Sequence, residues 1–237
     1  MPAPSGLNAY PRVHGTPRAV LFDLDGTLLD TAPDMVAALN QLRRENAREP
    51  LPFAQARAFV SHGAKALVRL GFPQADAQFF EALRVRYLQI YRTMLSVETT
   101  VYAGVDAALA HLEADGIPWG IVTNKPGWLT TPLTEHFAWH RRAGVIVSGD
   151  TLTERKPHPA PLLHAARQLR APAADCVYIG DAERDVLAAR AAGMKALVAL
   201  FGYIPPDEQP RKWPACHWLE SPQQMADWLR SLPRHAR

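Results

Sequence analysis

The chain has 237 residues, 48% of them hydrophobic, with 26 basic and 23 acidic side chains and a formal net charge of +3. Such a length and apolar share suit one large domain, or a domain with an insert, whose core needs no disulfide or metal to hold it. The small basic excess is spread over scattered arginines and the terminal Arg230, Arg234 and Arg237, a solvated surface rather than a nucleic-acid footprint, and no apolar run is long enough to cross a bilayer.

Residues 1–17 hold several prolines and glycines, no apolar period and no stretch suited to a signal peptide, and are expected to form a disordered extension. Ala19, Val20, Leu21 and Phe22, with Leu24, then form an apolar, β-favouring run that leads into Asp23, Asp25 and Gly26. This predicts a buried strand of a parallel sheet with two carboxylates at its carboxyl end, the edge where open α/β sheets bind ligands. Carboxylates one residue apart repel each other, and a hard divalent cation would make the arrangement tolerable.

Thr31, Pro33 and Asp34 open a helix with a hydroxyl, an early proline and an acid in the first turn, and Met35, Ala38, Leu39 and Leu42 recur at helical spacing. Further helical stretches are expected over 54–61, 64–70 and 76–95, where Val85, Leu88 and Tyr91 continue a stripe. Residues 33–97 carry almost no strand signal and read as a small helical insert. Beyond them, helices at 105–114, 128–137, 160–169, 183–192 and 222–231 alternate with strands at 119–123, 144–147, 176–180 and 196–200. That alternation predicts an α/β fold with a doubly wound parallel sheet. Only two cysteines occur, Cys176 in an apolar run and Cys216 in a proline-rich loop, a usage that suits a reducing cytoplasm.

Polar residues mark four predicted strand or loop ends. Asp23-Leu24-Asp25-Gly26-Thr27 follows the first strand, Thr123-Asn124 the second, Lys156-Pro157 precedes a helix, and Gly180-Asp181-Ala182-Glu183-Arg184-Asp185 follows a buried strand. Singly, each has a plain reading as a turn, a helix cap, a solvated face or a pair of dipole-favouring acids. In this order they resemble the four signatures of the haloacid-dehalogenase-like superfamily, most of whose members are magnesium-dependent phosphatases that pass through an aspartyl-phosphate. The resemblance covers residues 18–230. It implies a Rossmann-like core of residues 18–32 and 98–237 and a mobile cap of residues 33–97, similar to the phosphoglycolate-phosphatase branch.

The resemblance also implies roles. Asp23 would be the nucleophile and Asp25 the general acid and base; Mg2+ would be held by Asp23, the backbone carbonyl of Asp25 and Asp181, with Asp185 bracing the site from behind. Thr123, Asn124, Lys156 and the backbone near Leu24 would cradle the phosphate, Arg155 competing with Lys156. Ser61-His62-Gly63-Ala64-Lys65 looks like the glycine-bearing cap loop that meets substrate, with Gly63 and Lys65 as contacts, His62 a weaker candidate, and a plain surface lysine or a Schiff-base amine as other readings of Lys65. His158 is expected to stand behind the site or in solvent. The segment from Phe201 to Pro206 resembles the loop after the last strand in phosphoglycolate phosphatases and in N-acetylmuramic acid 6-phosphate phosphatases alike. The substrate is thus a small-molecule phosphate ester, 2-phosphoglycolate leading. N-acetylmuramic acid 6-phosphate, a β-phosphoglucomutase-like reaction and a non-catalytic binding role remain as alternatives. A cytoplasmic monomer or homodimer is expected.

Overall fold

The structure is a computed structural model that describes residues 16–233. The expected N-terminal extension lies almost entirely outside the described residues, as do Arg234 and Arg237. The chain opens with β1 (Ala19–Phe22), all four residues of which are buried, and a short β2 (Leu29–Asp30). Four helices follow, α1 (Ala32–Glu45), α2 (Phe53–Arg57), α3 (Gly63–Gly71) and α4 (Ala77–Thr93), before β3 (Thr100–Val101) pairs antiparallel with β2. The remainder alternates: α5 (Val105–Ala114), β4 (Trp119–Val122), α6 (Gly127–His136), β5 (Val145–Val147), α7 (Ala160–Gln168), β6 (Cys176–Gly180), α8 (Glu183–Ala191), β7 (Lys195–Ala199), β8 (His217–Leu219) and α9 (Pro222–Arg230).

Six strands form one parallel sheet in the order β5-β4-β1-β6-β7-β8. β1 sits between β4 and β6, with Phe22 opposite Ile121 on one side and Ile179 on the other. The chain winds from β1 towards β5, then returns to continue the sheet from β6. Connections leaving β1 and β6 therefore diverge, and a crevice opens at their carboxyl ends, the position where such sheets bind ligands. Asp23, Thr123 and Asp181 each follow one of these strands, and all three arrive at the same edge.

Alternation along the strands divides the core between the two faces. Val20, Phe22, Trp119, Ile121, Val177 and Ile179 pack with Leu109 and Leu112 of α5 and with Met225, Trp228 and Leu229 of α9. Ala19, Leu21, Val122 and Tyr178 pack with Leu162 and Ala165 of α7 and Val186 and Ala189 of α8. Helices α1 to α4 enclose a separate apolar cluster that includes Leu39, Leu42, Leu67, Val68, Phe72, Leu83 and Tyr87.

Two sequence expectations change. β8, parallel to β7, extends the sheet by a strand that was not foreseen; three residues after a proline-rich stretch, of which only Leu219 is fully buried, carry too little pattern to show it. In α4 the buried stripe is Leu83, Tyr87, Ile90 and Tyr91, whereas Val85 is exposed. The linkers between core and helical insert are joined at one carboxylate. Asp34, buried in the first turn of α1, accepts hydrogen bonds from the backbone N–H groups of Val97 (3.1 Å), Glu98 (2.8 Å) and Thr99 (2.9 Å) and from the Thr99 hydroxyl (2.6 Å). The acid that the sequence places as a dipole partner thus also ties the outgoing linker to the returning one.

Candidate active site

Asp23 leaves β1 with its N–H bonded to the Ile179 carbonyl and is only 3% exposed. Its Oδ1 accepts from the Leu24 N–H (2.8 Å) and lies 3.0 Å from Lys156 Nζ. Lys156 is buried, and its ammonium also donates to the Val122 carbonyl (2.8 Å) and the Tyr178 hydroxyl (2.7 Å) and lies 2.8 Å from Asp185 Oδ1. A buried ammonium costs much unless its N–H groups find acceptors, so the set of oxygens explains its place. Asn124 holds the lysine's backbone from both ends: its Oδ1 accepts from the Lys156 N–H (3.1 Å), and its Nδ2 donates to the Lys156 carbonyl (2.9 Å). Arg155, the competing cation, is exposed at the cavity rim, as the burial pattern of the loop requires.

Asp181 follows β6 and is fully buried. Its Oδ2 accepts from the Tyr203 N–H (2.8 Å) and the Ser61 hydroxyl (2.5 Å), while Oδ1 is buried with no partner among the described residues. Asp185 Oδ2 accepts from the Ala182 N–H (3.0 Å) at the start of α8. Carboxylate oxygens of Asp23, Asp181 and Asp185 lie within 4.8 Å of one another. Burial pushes the Asp23 carboxyl above its ordinary range, against the pull of Lys156. Burial, with Asp23 and Asp185 adding to it, pushes Asp181 up to about 7. Three crowded acids and an orphaned oxygen fit a hard divalent cation, which takes oxygen ligands and relieves the repulsion. The glycines around Asp181 follow from the same crowding. Gly26 has φ +80° and its missing Cβ would fall 2.1 Å from Asp181 Oδ2; a Cβ on Gly202 would fall 2.3 Å from Asp181 Cβ.

Asp25 has different company. Its Oδ1 accepts from the Thr31 hydroxyl (2.7 Å) and from Lys125 Nζ (2.9 Å). Lys125 is itself 8% exposed, donates to the Tyr91 hydroxyl (2.9 Å) and lies 4.7 Å from the centroid of that ring. Burial and the Asp25 charge hold the Tyr91 phenol well above its usual range, so it stays neutral and can accept that bond. Thr123, also buried, accepts the Lys125 N–H at Oγ1 (3.1 Å), which leaves its hydroxyl proton to be donated elsewhere.

The helical insert covers the crevice. Ser61 and His62 lie in the single-turn 3-10 helix Val60–His62, and Gly63, at φ +73°, turns the chain into α3 and brings Lys65 to the cavity. Arg184 Nη2 donates to the Ser61 carbonyl (2.6 Å), and although burial opposes it, Asp185, Asp23 and Asp181 raise that guanidinium's pKa. Arg57 donates to the carbonyls of Gly202 (3.1 Å) and Phe201 (3.2 Å) and stacks over Tyr203, 4.8 Å from its centroid. His62 Nε2 lies 3.2 Å from Glu208. His158 is exposed, its Nδ1 accepting from the Ala160 N–H (3.2 Å) at the start of α7.

A cavity of about 350 Å³ lies between insert and core, with Asp23, Asp25 and Thr123 on the core side and Lys65, Arg84 and Tyr91 on the insert side. Arg84 is paired with Glu81 (Nε–Oε2 2.8 Å) at its edge. The structure therefore gathers Asp23, Asp25, Thr123 and Asn124 from the core, and Gly63 and Lys65 from the insert, around one cavity; Lys156 is buried behind Asp23, and Asp181 and Asp185 group with that same carboxylate. Thr31, Ser61, Lys125, Arg184 and Tyr203 were not foreseen. Arg184 stands inside a quoted motif and Lys125 directly follows one, yet nothing in their spacing marks Lys125 as a partner of Asp25 or Arg184 as a partner of Ser61.

The chain matches the family model of the haloacid dehalogenase-like hydrolases over residues 20–199. It is 47% identical over 209 residues to a phosphoglycolate phosphatase of Xanthomonas campestris pv. campestris, covering 88% of this chain and 95% of that protein. Identity to an N-acetylmuramic acid 6-phosphate phosphatase of Pseudomonas aeruginosa is 38% over 213 residues, covering 90% of this chain and 94% of the relative. A crystal structure of a protein from Haemophilus somnus, described as a predicted phosphoglycolate phosphatase, shares the fold with a TM-score of 0.80 at 23% identity, over 90% of this chain and 96% of that one.

Proposed function

This chain belongs to the haloacid dehalogenase-like hydrolases, and from that membership and the geometry of the cavity we propose that it is a magnesium-dependent phosphomonoesterase acting through an aspartyl-phosphate on Asp23, with 2-phosphoglycolate as substrate. The observation that carries the reading is the separation of two carboxylates from one strand end. Asp23 sits against Lys156 and the acids of β6 and α8, whereas Asp25 is held apart by Thr31 and Lys125. Two environments allow two roles.

Asp23 attacks phosphorus, the P–O bond to the alcohol breaks, and Asp25 gives its proton to the departing oxygen. Asp25 then takes a proton from water as that water attacks the phosphorus of the acyl phosphate, and Asp23 and inorganic phosphate are released. The Thr123 hydroxyl donates to the phosphoryl oxygens, and Lys156, held against Asp23, offsets the charge gathering there. Asp23, Asp181 and the Asp25 carbonyl would hold Mg2+, with Asp185 bracing them from its bonds to Lys156 and the α8 start; bound there, the ion supplies positive charge between two anions. Helices α1 to α4 serve as the cap that shuts the reaction away from water.

Lys65 and Arg84 on the insert side give a carboxylate-bearing alcohol a cationic counterpart. Both 2-phosphoglycolate and N-acetylmuramic acid 6-phosphate meet that condition. The cavity of about 350 Å³ has more room than a two-carbon acid needs, and this favours the sugar ester as the second reading. Among the described residues no helix is long and apolar enough to cross a membrane; the proposed setting is the cytoplasm, as a monomer or homodimer. The test is phosphate release from a panel of 2-phosphoglycolate, N-acetylmuramic acid 6-phosphate, glucose phosphates and nucleotides, with Mg2+ and with chelator. Magnesium-dependent release dominated by one carboxylate-bearing ester supports the reading and names the substrate. Interconversion of sugar phosphates without net release would replace it with the mutase.

A further inference from the structure

We infer that Ser61, on the helical insert, is a positioning residue for the metal site. Its hydroxyl fixes the Asp181 carboxylate so that docking of the insert and binding of the metal favour each other. The inference rests on the metal-dependent reading above, and its own basis is the asymmetry of Asp181. One carboxylate oxygen, Oδ2, is taken from two sides, by the Tyr203 N–H of the core (2.8 Å) and by the Ser61 hydroxyl of the insert (2.5 Å). The other, Oδ1, is buried, has no partner among the described residues, and belongs to a residue whose carboxylate sits with those of Asp23 and Asp185. Gly26 and Gly202 lie so close to the same side chain that a Cβ on either would clash with it. Saturating Oδ2 while Oδ1 stays bare is the arrangement that presents a ligand atom, since bonds behind a ligating carboxylate set its orientation.

Ser61 is itself gripped from the segment it serves. Arg184 Nη2 donates to the Ser61 carbonyl (2.6 Å) while the Ser61 hydroxyl donates to Asp181, two bonds of opposite direction between one residue of the insert and residues 181–184 of the core. If the insert lifts, both are lost together and Asp181 keeps only the Tyr203 N–H. A metal ion that binds the docked form more tightly must, by reciprocity, promote docking by the same factor, without any substrate present. The cap is thereby told that the ion is in place before the ester arrives.

The test is calorimetric titration of Mg2+ into the wild type, Ser61→Ala and Ser61→Thr. It is joined to hydrogen exchange of residues 57–64 with and without Mg2+, in the absence of substrate. Ser61→Ala should bind Mg2+ about tenfold more weakly while Ser61→Thr stays within about threefold of the wild type. Mg2+ should protect the 57–64 amides in the wild type and in Ser61→Thr, and fail to do so in Ser61→Ala. Wild-type affinity and protection in Ser61→Ala would overturn the inference and leave the metal-dependent reading standing. A wild type that binds no Mg2+ would remove that reading, and this inference with it.

Discussion

Lys125 is the residue whose removal speaks most directly to the division of labour at the site. Its ammonium holds the Asp25 carboxylate at 2.9 Å and accounts for one of the two bonds that separate Asp25 from the acid cluster. If Asp25 transfers the proton as proposed, Lys125→Met should lower kcat by about 10- to 100-fold with little change in KM, because it disturbs that group and not the phosphate cradle. Steady-state kinetics of the folded variant check this, and an unchanged kcat would show that Asp25 needs no such partner. The acids beneath the cavity give a pH prediction. Burial, then Asp23 and Asp185, raise Asp181 to about 7 from an ordinary value of 3.8. The metal-free fold therefore binds more protons than the unfolded chain between those values, so this contribution to stability is present at low pH and is lost as pH rises towards 7. In the proposed metal-dependent reaction Mg2+ competes with that proton, and the rise in Tm on adding Mg2+ should be larger at pH 8 than at pH 6, the two compared by thermal denaturation. Asp23, Asp25 and Asp181 were legible in the sequence because a carboxylate at an apolar strand end has few structural uses. Ser61, Lys125 and Arg184 were not, since a serine, lysine or arginine looks the same in the sequence whether it faces water or a group 100 or more residues away, as in the pairs Lys125–Asp25, Ser61–Asp181 and Arg184–Ser61.

Elements were legible where their apolar pattern is unbroken. β1, β4 and β6 are short but wholly apolar and buried, and each is followed by a polar residue that ends it. α5 falls on Val105–Ala114 because Gly104 and the Asp115-Gly116 turn bound it, with Gly116 at φ +71°. α4 was placed correctly but phased wrongly. Apolar residues occur on more than one of its faces, and only the partners in α1 and α3 decide that Leu83, Tyr87, Ile90 and Tyr91 face inward while Val85 faces water. The Asp34 junction was beyond reach for another reason: its four donors come from the opposite end of the insert. Asp34→Ala leaves those donors without their charged acceptor and should cost about 2–3 kcal/mol of stability. Urea unfolding measures the loss, and limited proteolysis should find new cleavage at residues 95–99. A variant as stable and as resistant as the wild type would show that the linkers are held by the β2–β3 pair and not by this carboxylate.

At the scale of the molecule, the sheet order places the crevice and the insert closes it. The six-stranded order reverses direction beside β1, so one edge collects Asp23, Thr123 and Asp181 from strands far apart in sequence. The insert contributes no acid to that edge. It supplies cations, Lys65 and Arg84, at the far wall of the cavity; Arg57 and Ser61 donate to the core beneath, and Tyr91 accepts from Lys125. A chain with a net charge of only +3 thus concentrates positive side chains where an anionic ester would enter. The central claim is that Asp23 takes the phosphoryl group. Its most direct test is to quench the enzyme in acid during turnover of the best ester with Mg2+ and map the peptides by mass spectrometry. The account predicts a phosphoryl adduct on the peptide containing Asp23, absent when chelator replaces Mg2+, and no turnover at all from Asp23→Asn. Phosphate release by Asp23→Asn at the wild-type rate, with no adduct on that peptide in the wild type, would contradict it.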